Sequence, residues 1–184
     1  MTVERALQCH PFPPLYDARS RVLILGSFPS VASREAVFFY AHPQNRFWRV
    51  LASLFGEAVP RTVEEKTALV LRNRLALWDV VARCEIAGSS DASITGVVAN
   101  DLRPILRGAD IRAIFCNGGT AHKWYDRLLR GELGREATLL PSTSPANAAW
   151  SQDRLAEAWA AAILPFLYDR DPLPEEQGNR GNAF

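Results

Sequence analysis

Four short, strongly apolar runs recur at long intervals along the chain: RVLIL at 21–25, RLALWDVV at 74–81, IRAIFC at 111–116 and ATLL at 137–140. Each is of strand length and rich in β-formers, and each is continuously apolar rather than alternating, the pattern of a strand buried on both faces. Helical spacings lie between them. Phe47, Val50, Leu51, Leu54 and Phe55 fall on one helical face, and Trp124, Leu128 and Leu129 fall on another that Gly131 is placed to cap. Ser151 is placed to cap a last helix whose Leu155, Trp159, Ala162, Ile163 and Phe166 form one stripe. Strands alternating with helices require right-handed crossovers, which predicts an α/β fold: a three-layer α/β/α sandwich with a central four-stranded, mainly parallel sheet.

A chain of 184 residues can bury such a core as one domain without metal or disulfide support. The domain is expected to span residues 1–168, with a polar, Pro- and Gly-bearing tail over 169–184 that reads as flexible. Cys9, Cys84 and Cys116 are odd in number and scattered, which argues against a disulfide framework and a cysteine-cluster site and suits a reducing cytoplasm. The amino terminus interrupts any apolar run with acidic and proline residues, and no stretch reaches membrane-spanning length, so a soluble, cytoplasmic protein without membrane contact is expected. Net charge is +1, but the tail holds four acids and two arginines, leaving 19 basic against 16 acidic residues in the body. So mild a surplus permits nucleic-acid binding without requiring it, since phosphate contacts can come from a local patch and from backbone amides.

Each apolar run is followed by polar, turn-forming residues: GSFPS after the first, DVVARCEIAGSSDAS around the second, NGGTAHKW after the third and PSTSPANAAW after the fourth. In an open parallel sheet the carboxyl ends of the strands form the ligand crevice, so these exits point to one site. Ser27, Ser30 and Ser33 either cap a turn or, with nearby backbone amides, line a pocket and hold phosphate oxygens. Gly118 and Gly119 lack the spacing of a nucleotide-binding P-loop. His42 and His122 have no neighbouring ligands in sequence and read as structural or surface residues, so neither a metal nor a cofactor is expected. The aromatic cluster from Phe38 to Trp48 is mainly core, with Phe39 and Tyr40 the candidates to stack on a flat ligand.

Taken together, LILGSFPSVASREAVFFYAHPQNRFW, LALWDVVARCEIAGSSDASI, FCNGGTAHKWY and LPSTSPANAAW resemble the uracil-DNA glycosylase superfamily, specifically its hypoxanthine-DNA (deoxyinosine) glycosylase branch, over Arg21 to Phe166. The resemblance implies base excision without a cofactor: a deaminated base is flipped out of DNA and its N-glycosidic bond is hydrolysed, leaving an abasic site. It makes GSFPS the water-side motif and LPSTSPANA the loop gripping the DNA strand beside the flipped nucleotide. Two departures stand out. Where other branches carry Asp or Asn before the proline of the first motif, this chain has Phe28, and where some carry His at the start of the second it has Leu140.

By the same resemblance the asparagine of the HPxN segment, Asn45, is the catalytic candidate. An amide is a poor general base, so its expected work is to orient water through its carbonyl oxygen and to hold the nucleotide. Base selection is expected from Asp79 accepting N1–H of the flipped purine and from Asn117 or a backbone amide donating to O6, with Phe28, Phe39 and Tyr40 as the other base contacts. Ser27, Ser30, Ser33, Ser142, Ser144 and Asn147 are the expected DNA contacts. Deoxyinosine is the first-choice substrate and deoxyuridine the alternative, and DNA carrying a deaminated base is the expected partner of a monomeric protein. Two readings of other kinds stay open: a serine hydrolase built on Ser27 and His122, which lacks the Gly-X-Ser-X-Gly elbow, and a damage-binding module without turnover.

Overall fold

The computed structural model describes residues 5–87 and 94–168, so the tail over 169–184 and the GSSDAS segment over 88–93 lie outside the described residues. Its central sheet is built from β2 (Val22–Gly26), β3 (Leu75–Asp79), β6 (Ala113–Asn117) and β7 (Thr138–Leu140), in the order β3-β2-β6-β7 with every pairing parallel. This is the expected four-stranded parallel sheet. Side chains alternate across it. Leu23, Leu25, Ala76, Ile114 and Cys116 enter one apolar cluster, while Val22, Ile24, Leu75, Leu77 and Phe115 enter the other.

The second cluster is closed by α2 (Phe47–Phe55), α3 (Val63–Arg72) and α7 (Gln152–Ile163). Helix α2 forms where the Phe47, Val50, Leu51 stripe predicts it, and those three side chains are wholly buried. Ser151 caps α7 by accepting from the Arg154 N–H at 3.3 Å, and Leu155, Trp159 and Ile163 form its buried stripe, whereas Phe166 lies beyond the helix and is exposed. Helix α3 starts at a capping box in which the Thr62 hydroxyl accepts from Glu65 N–H and the Glu65 carboxylate accepts from Thr62 N–H.

The first cluster is covered by α4 (Arg103–Gly108), by α5 (Gly119–Leu128) and by a second sheet absent from the sequence reading. That sheet pairs β4 (Val81–Ile86) antiparallel with both β1 (Ala6–Cys9) and β5 (Thr95–Ala99). The run 74–81, expected as one strand, therefore divides at Val80. The reason lies in the hydrogen bonds: the Val80 and Val81 N–H groups turn aside to the carbonyls of Gly26 and Ser27, and the buried Asn100 amide donates to the carbonyls of Asp79 and Val81. The Gly131 cap is also corrected. Gly131 sits inside α6 (Arg130–Leu133), and the left-handed residue that ends this helical stretch is Gly134, with φ 61°. Two short elements complete the inventory used below, α1 (Val31–Ala36) and a 3-10 turn over Leu164–Phe166. No helix among the described residues is long and apolar enough to cross a membrane.

Candidate active site

The carboxyl ends of β2, β3, β6 and β7 open onto a cleft of about 640 Å³, and a second cavity of about 710 Å³ shares its wall at Ser27, Asn117, Thr120 and Ser142. A volume in this range suits a small ligand or a flipped nucleotide. All four strand exits contribute, through Ser27 and Phe28, Asp79, Asn117, and Ser142 to Ala146. Phe28 and Phe39 are buried and still reach the cleft, whereas Tyr40 stacks one ring face on Phe47 at 3.8 Å, which leaves a single face for any ligand. Among the described residues no three His, Cys, Asp or Glu side chains cluster as a metal would require.

Asp79 ends β3 with its carboxylate folded back over Gly26, so closely that a Cβ on Gly26 would lie 2.2 Å from Oδ1. Its partner is His10, whose Nε2 sits 2.7 Å from Oδ2, with both side chains nearly inaccessible. The sequence offers no signal for this contact. His10 reaches Asp79 because β1 pairs with β4, because its own N–H bonds the Ala82 carbonyl at 2.7 Å, and because Leu15 and Leu77 exchange both backbone hydrogen bonds along the edge of β3. Among the described residues Asp79 neither caps a helix nor pairs with an arginine.

Asn45 also lines the cleft, but its carbonyl oxygen is committed. Oδ1 accepts from the Phe47 N–H at 3.0 Å, fixing the start of α2, and from the Thr143 hydroxyl at 2.9 Å. A backbone N–H can only donate, so the oxygen is assigned unambiguously and both of its lone pairs are used. The expectation that this oxygen orients water is thereby corrected: the group Asn45 can offer to the cleft is the Nδ2 donor.

Thr143 is wholly buried and forms the joint of the site. Besides donating to Asn45 it accepts from Asn117 Nδ2 at 2.9 Å, while its own N–H donates to Asn117 Oδ1 at 3.0 Å. Asn117 therefore keeps one amide hydrogen for a ligand. Sequence reasoning chose the flanking serines and passed over this threonine. It also passed over Arg46, whose guanidinium donates to the carbonyls of Ser144 and Asn147 at 2.9 Å each and to that of Trp150. One half-buried fork thus shapes the whole loop from Thr143 to Trp150.

The other expected DNA contacts differ in exposure. Ser33 is 3% exposed and its hydroxyl accepts from Ala41 N–H, so it ties α1 to the loop leading to Asn45 and does not face outward. Ser30 is exposed and caps α1, with its hydroxyl directed to Ser33. Ser142 and Ser144 accept from the N–H groups of Ser144 and Ala146, which shapes the loop and leaves each hydroxyl hydrogen able to donate. The Asn147 amide donates to the Ser142 carbonyl at 2.9 Å, closing the loop on itself. His122 bonds the Ala137 carbonyl and faces Asp126, so the Ser27–His122 couple of a serine hydrolase is not formed. His42 lies exposed at the rim, its Nδ1 accepting from Gln44 N–H.

Comparison with known proteins gives a consistent result. Residues 13–166 match the family model of the Uracil DNA glycosylase superfamily. A protein named hypoxanthine DNA glycosylase from Methanosarcina acetivorans is 36% identical over 153 residues, 83% of this chain and 96% of its own length. A protein of the same name from Methanosarcina barkeri is 32% identical over 154 residues, again 83% and 96% of the two chains. Among solved structures, a solution NMR structure of a Methanosarcina acetivorans protein described as a candidate uracil DNA glycosylase superposes with a TM-score of 0.72 at 35% identity, covering 85% of this chain and 96% of that one.

Proposed function

The chain belongs to the uracil DNA glycosylase superfamily, and from that premise we propose that it is a monofunctional DNA glycosylase that hydrolyses the N-glycosidic bond of deoxyinosine. The observation that carries this reading is the pairing, in one cleft, of a carboxylate fixed by His10 with an amide donor fixed by Thr143 and Phe47. The two curated relatives bear the name of the same activity.

A base inside a duplex cannot reach such a cleft, so the nucleotide must be flipped out and its base edge read within. Asp79 accepts N1–H of hypoxanthine. Asn117, through its remaining amide hydrogen, or a backbone N–H of the same wall donates to O6. Phe28 and Phe39 enclose the ring. Adenine offers N1 as an acceptor and its 6-amino group as a donor, so both protein groups would lose their partners, and a site built around buried polar groups rejects such a mismatch strongly.

Cleavage passes through an oxocarbenium-like state in which the base departs ahead of water attack. Negative charge then grows on the leaving purine. A fixed donor aimed at it lowers the barrier because it needs no reorganisation, and Asn45 Nδ2 supplies that donor and holds the nucleotide in register. The cation is met by the DNA's own phosphates, and a water needs little activation to capture so electrophilic a carbon. Ser27, Ser142 and Ser144 donate to flanking phosphates, while Arg46 keeps the loop bearing Ser142 and Ser144 in shape and Ser30, its hydroxyl directed to Ser33, keeps its part in the cap of α1. The tail over 169–184 takes no part in this reading, which assigns the activity to the domain spanning 1–168 acting as a monomer.

The test is single-turnover excision on matched duplexes carrying one deoxyinosine, deoxyuridine or deoxyxanthosine, read as strand scission after alkali. Deoxyinosine is expected to be cut fastest. Cleavage mainly at deoxyuridine would keep the chemistry and overturn the substrate, and binding of every lesion without cleavage would establish a damage-recognition protein instead.

A further inference from the structure

Resting on the reading of Asp79 as the acceptor of N1–H, we infer that His10 is the positioning residue that makes this carboxylate reject adenine. His10 is pinned on every side. Its ring lies edge-on to Phe12 at 4.4 Å and to Phe28 and Trp78 at 6.2 Å each, and its backbone N–H is held by Ala82. The Phe12 N–H approaches Nδ1 at 3.5 Å, which marks that nitrogen as the acceptor and puts the ring hydrogen on Nε2, facing Asp79 Oδ2 at 2.7 Å. Asp79 thus receives a hydrogen bond at Oδ2. Its other oxygen, Oδ1, lies against Gly26 on the cleft wall and can only accept.

That restriction decides which purine fits. A carboxylate pairs with N1–H of a 6-oxopurine and repels the N1 lone pair of adenine. Deprived of the imidazole, the Asp79 carboxylate loses the group that fixes Oδ2 and can turn between Phe12 and Phe28, so that Oδ1 no longer holds its place on the cleft wall. His10 therefore acts on selectivity through its hold on the Asp79 oxygens, at the place where a failure would turn the enzyme on undamaged DNA. A contact serving stability alone could as well be apolar, whereas this one ends on a carboxylate that lines the cleft.

The experiment measures binding to duplexes holding one 2′-fluoro-deoxyinosine or one 2′-fluoro-deoxyadenosine opposite thymine, the fluorine slowing cleavage so that affinity is read alone. The proteins are the parent, H10L, H10Q and D79N. H10L is expected to lose about tenfold or more of the inosine preference, and H10Q, whose amide N–H can reach the same oxygen, to keep most of it. Full preference in H10L, or equal loss in a folded H10Q, would overturn the inference. D79N separates the two levels: if it keeps the preference, the Asp79 reading itself falls, whereas loss in D79N with retention in H10L removes only the role of His10. Nitrogen-15 chemical shifts of His10 in the parent test the same point without a variant. An Nε2–H tautomer or an imidazolium is expected, and hydrogen on Nδ1 alone would overturn the inference.

Discussion

Gly26→Ala tests how tightly the site is assembled. Gly26 pairs with Asp79 at the ends of two parallel strands, and its backbone is not in the left-handed region, so alanine meets no conformational penalty there. The obstacle is spatial. The new Cβ would lie 2.2 Å from Asp79 Oδ1 and 3.1 Å from the Tyr40 hydroxyl, while ordinary contact begins at 3.4 Å. Either the strand end or the carboxylate must move by about 1 Å. The carboxylate is the softer of the two, and its rotation breaks the 2.7 Å bond to His10. Overpacking combined with a buried, charged hydrogen bond lost predicts a destabilisation of about 2–4 kcal/mol, which for a domain of this size lowers Tm by about 5–15 °C. With Asp79 Oδ1 reading the base as proposed, its misplacement by about 1 Å predicts a loss of about a hundredfold in deoxyinosine excision. Thermal melts and single-turnover excision measure the two effects. Gly131→Ala is the control: nothing lies within 4 Å of its Cβ and it sits in α6, so it should leave excision intact and add up to about 1 kcal/mol of stability. A double-mutant cycle with Asp79→Ala locates the cause, because removing the oxygen should relieve most of the G26A penalty. Parental stability and activity in G26A, or full additivity in the cycle, would refute the reasoning.

Three further outcomes follow from the same geometry. Asn45→Asp keeps an acceptor for the Phe47 N–H but loses the Nδ2 donor, so it should melt near the parent while excision falls about a hundredfold or more; parental activity would return the role to the oxygen. Arg46→Ala removes the fork that holds three carbonyls of the 144–150 loop, and amide hydrogen exchange there should accelerate ahead of that in the sheet, with excision reduced. Burial pushes the Cys116 thiol up to about 12, and Cys84 is equally inaccessible, so brief alkylation of the native protein should modify exposed Cys9 alone by mass spectrometry.

The parts of the fold legible in the sequence are those whose residues declare their surroundings locally. Leu23, Ile24 and Leu25 stand in an unbroken apolar run because both faces of β2 are covered, and the α2 and α7 stripes repeat at helical spacing because each helix buries one side. The small sheet gave no such sign. Strand β1 is largely exposed, and β4 and β5 pair through two register shifts that break any alternation. Asp79 and Asn117 were legible because a polar residue at a strand exit is conspicuous, and Asn45 only through the resemblance carried by its HPxN segment. His10 was not: its partner lies 69 residues away and is met only through the pairing of β1 with β4. Thr143 and Arg46 were hidden for the same reason, since each joins segments nearly 100 residues apart. The role of Asn45 depended on which of its two polar atoms the fold uses, and no sequence pattern carries that information.

The most direct test of the account is the release of free hypoxanthine from a matched deoxyinosine duplex in a single turnover, by the parent and by Asn45→Ala side by side. Complete release by the parent is expected, with an abasic strand left behind, together with a rate lower by about a hundredfold or more in the variant. No free base from the parent, or release at the parental rate by Asn45→Ala, would contradict it.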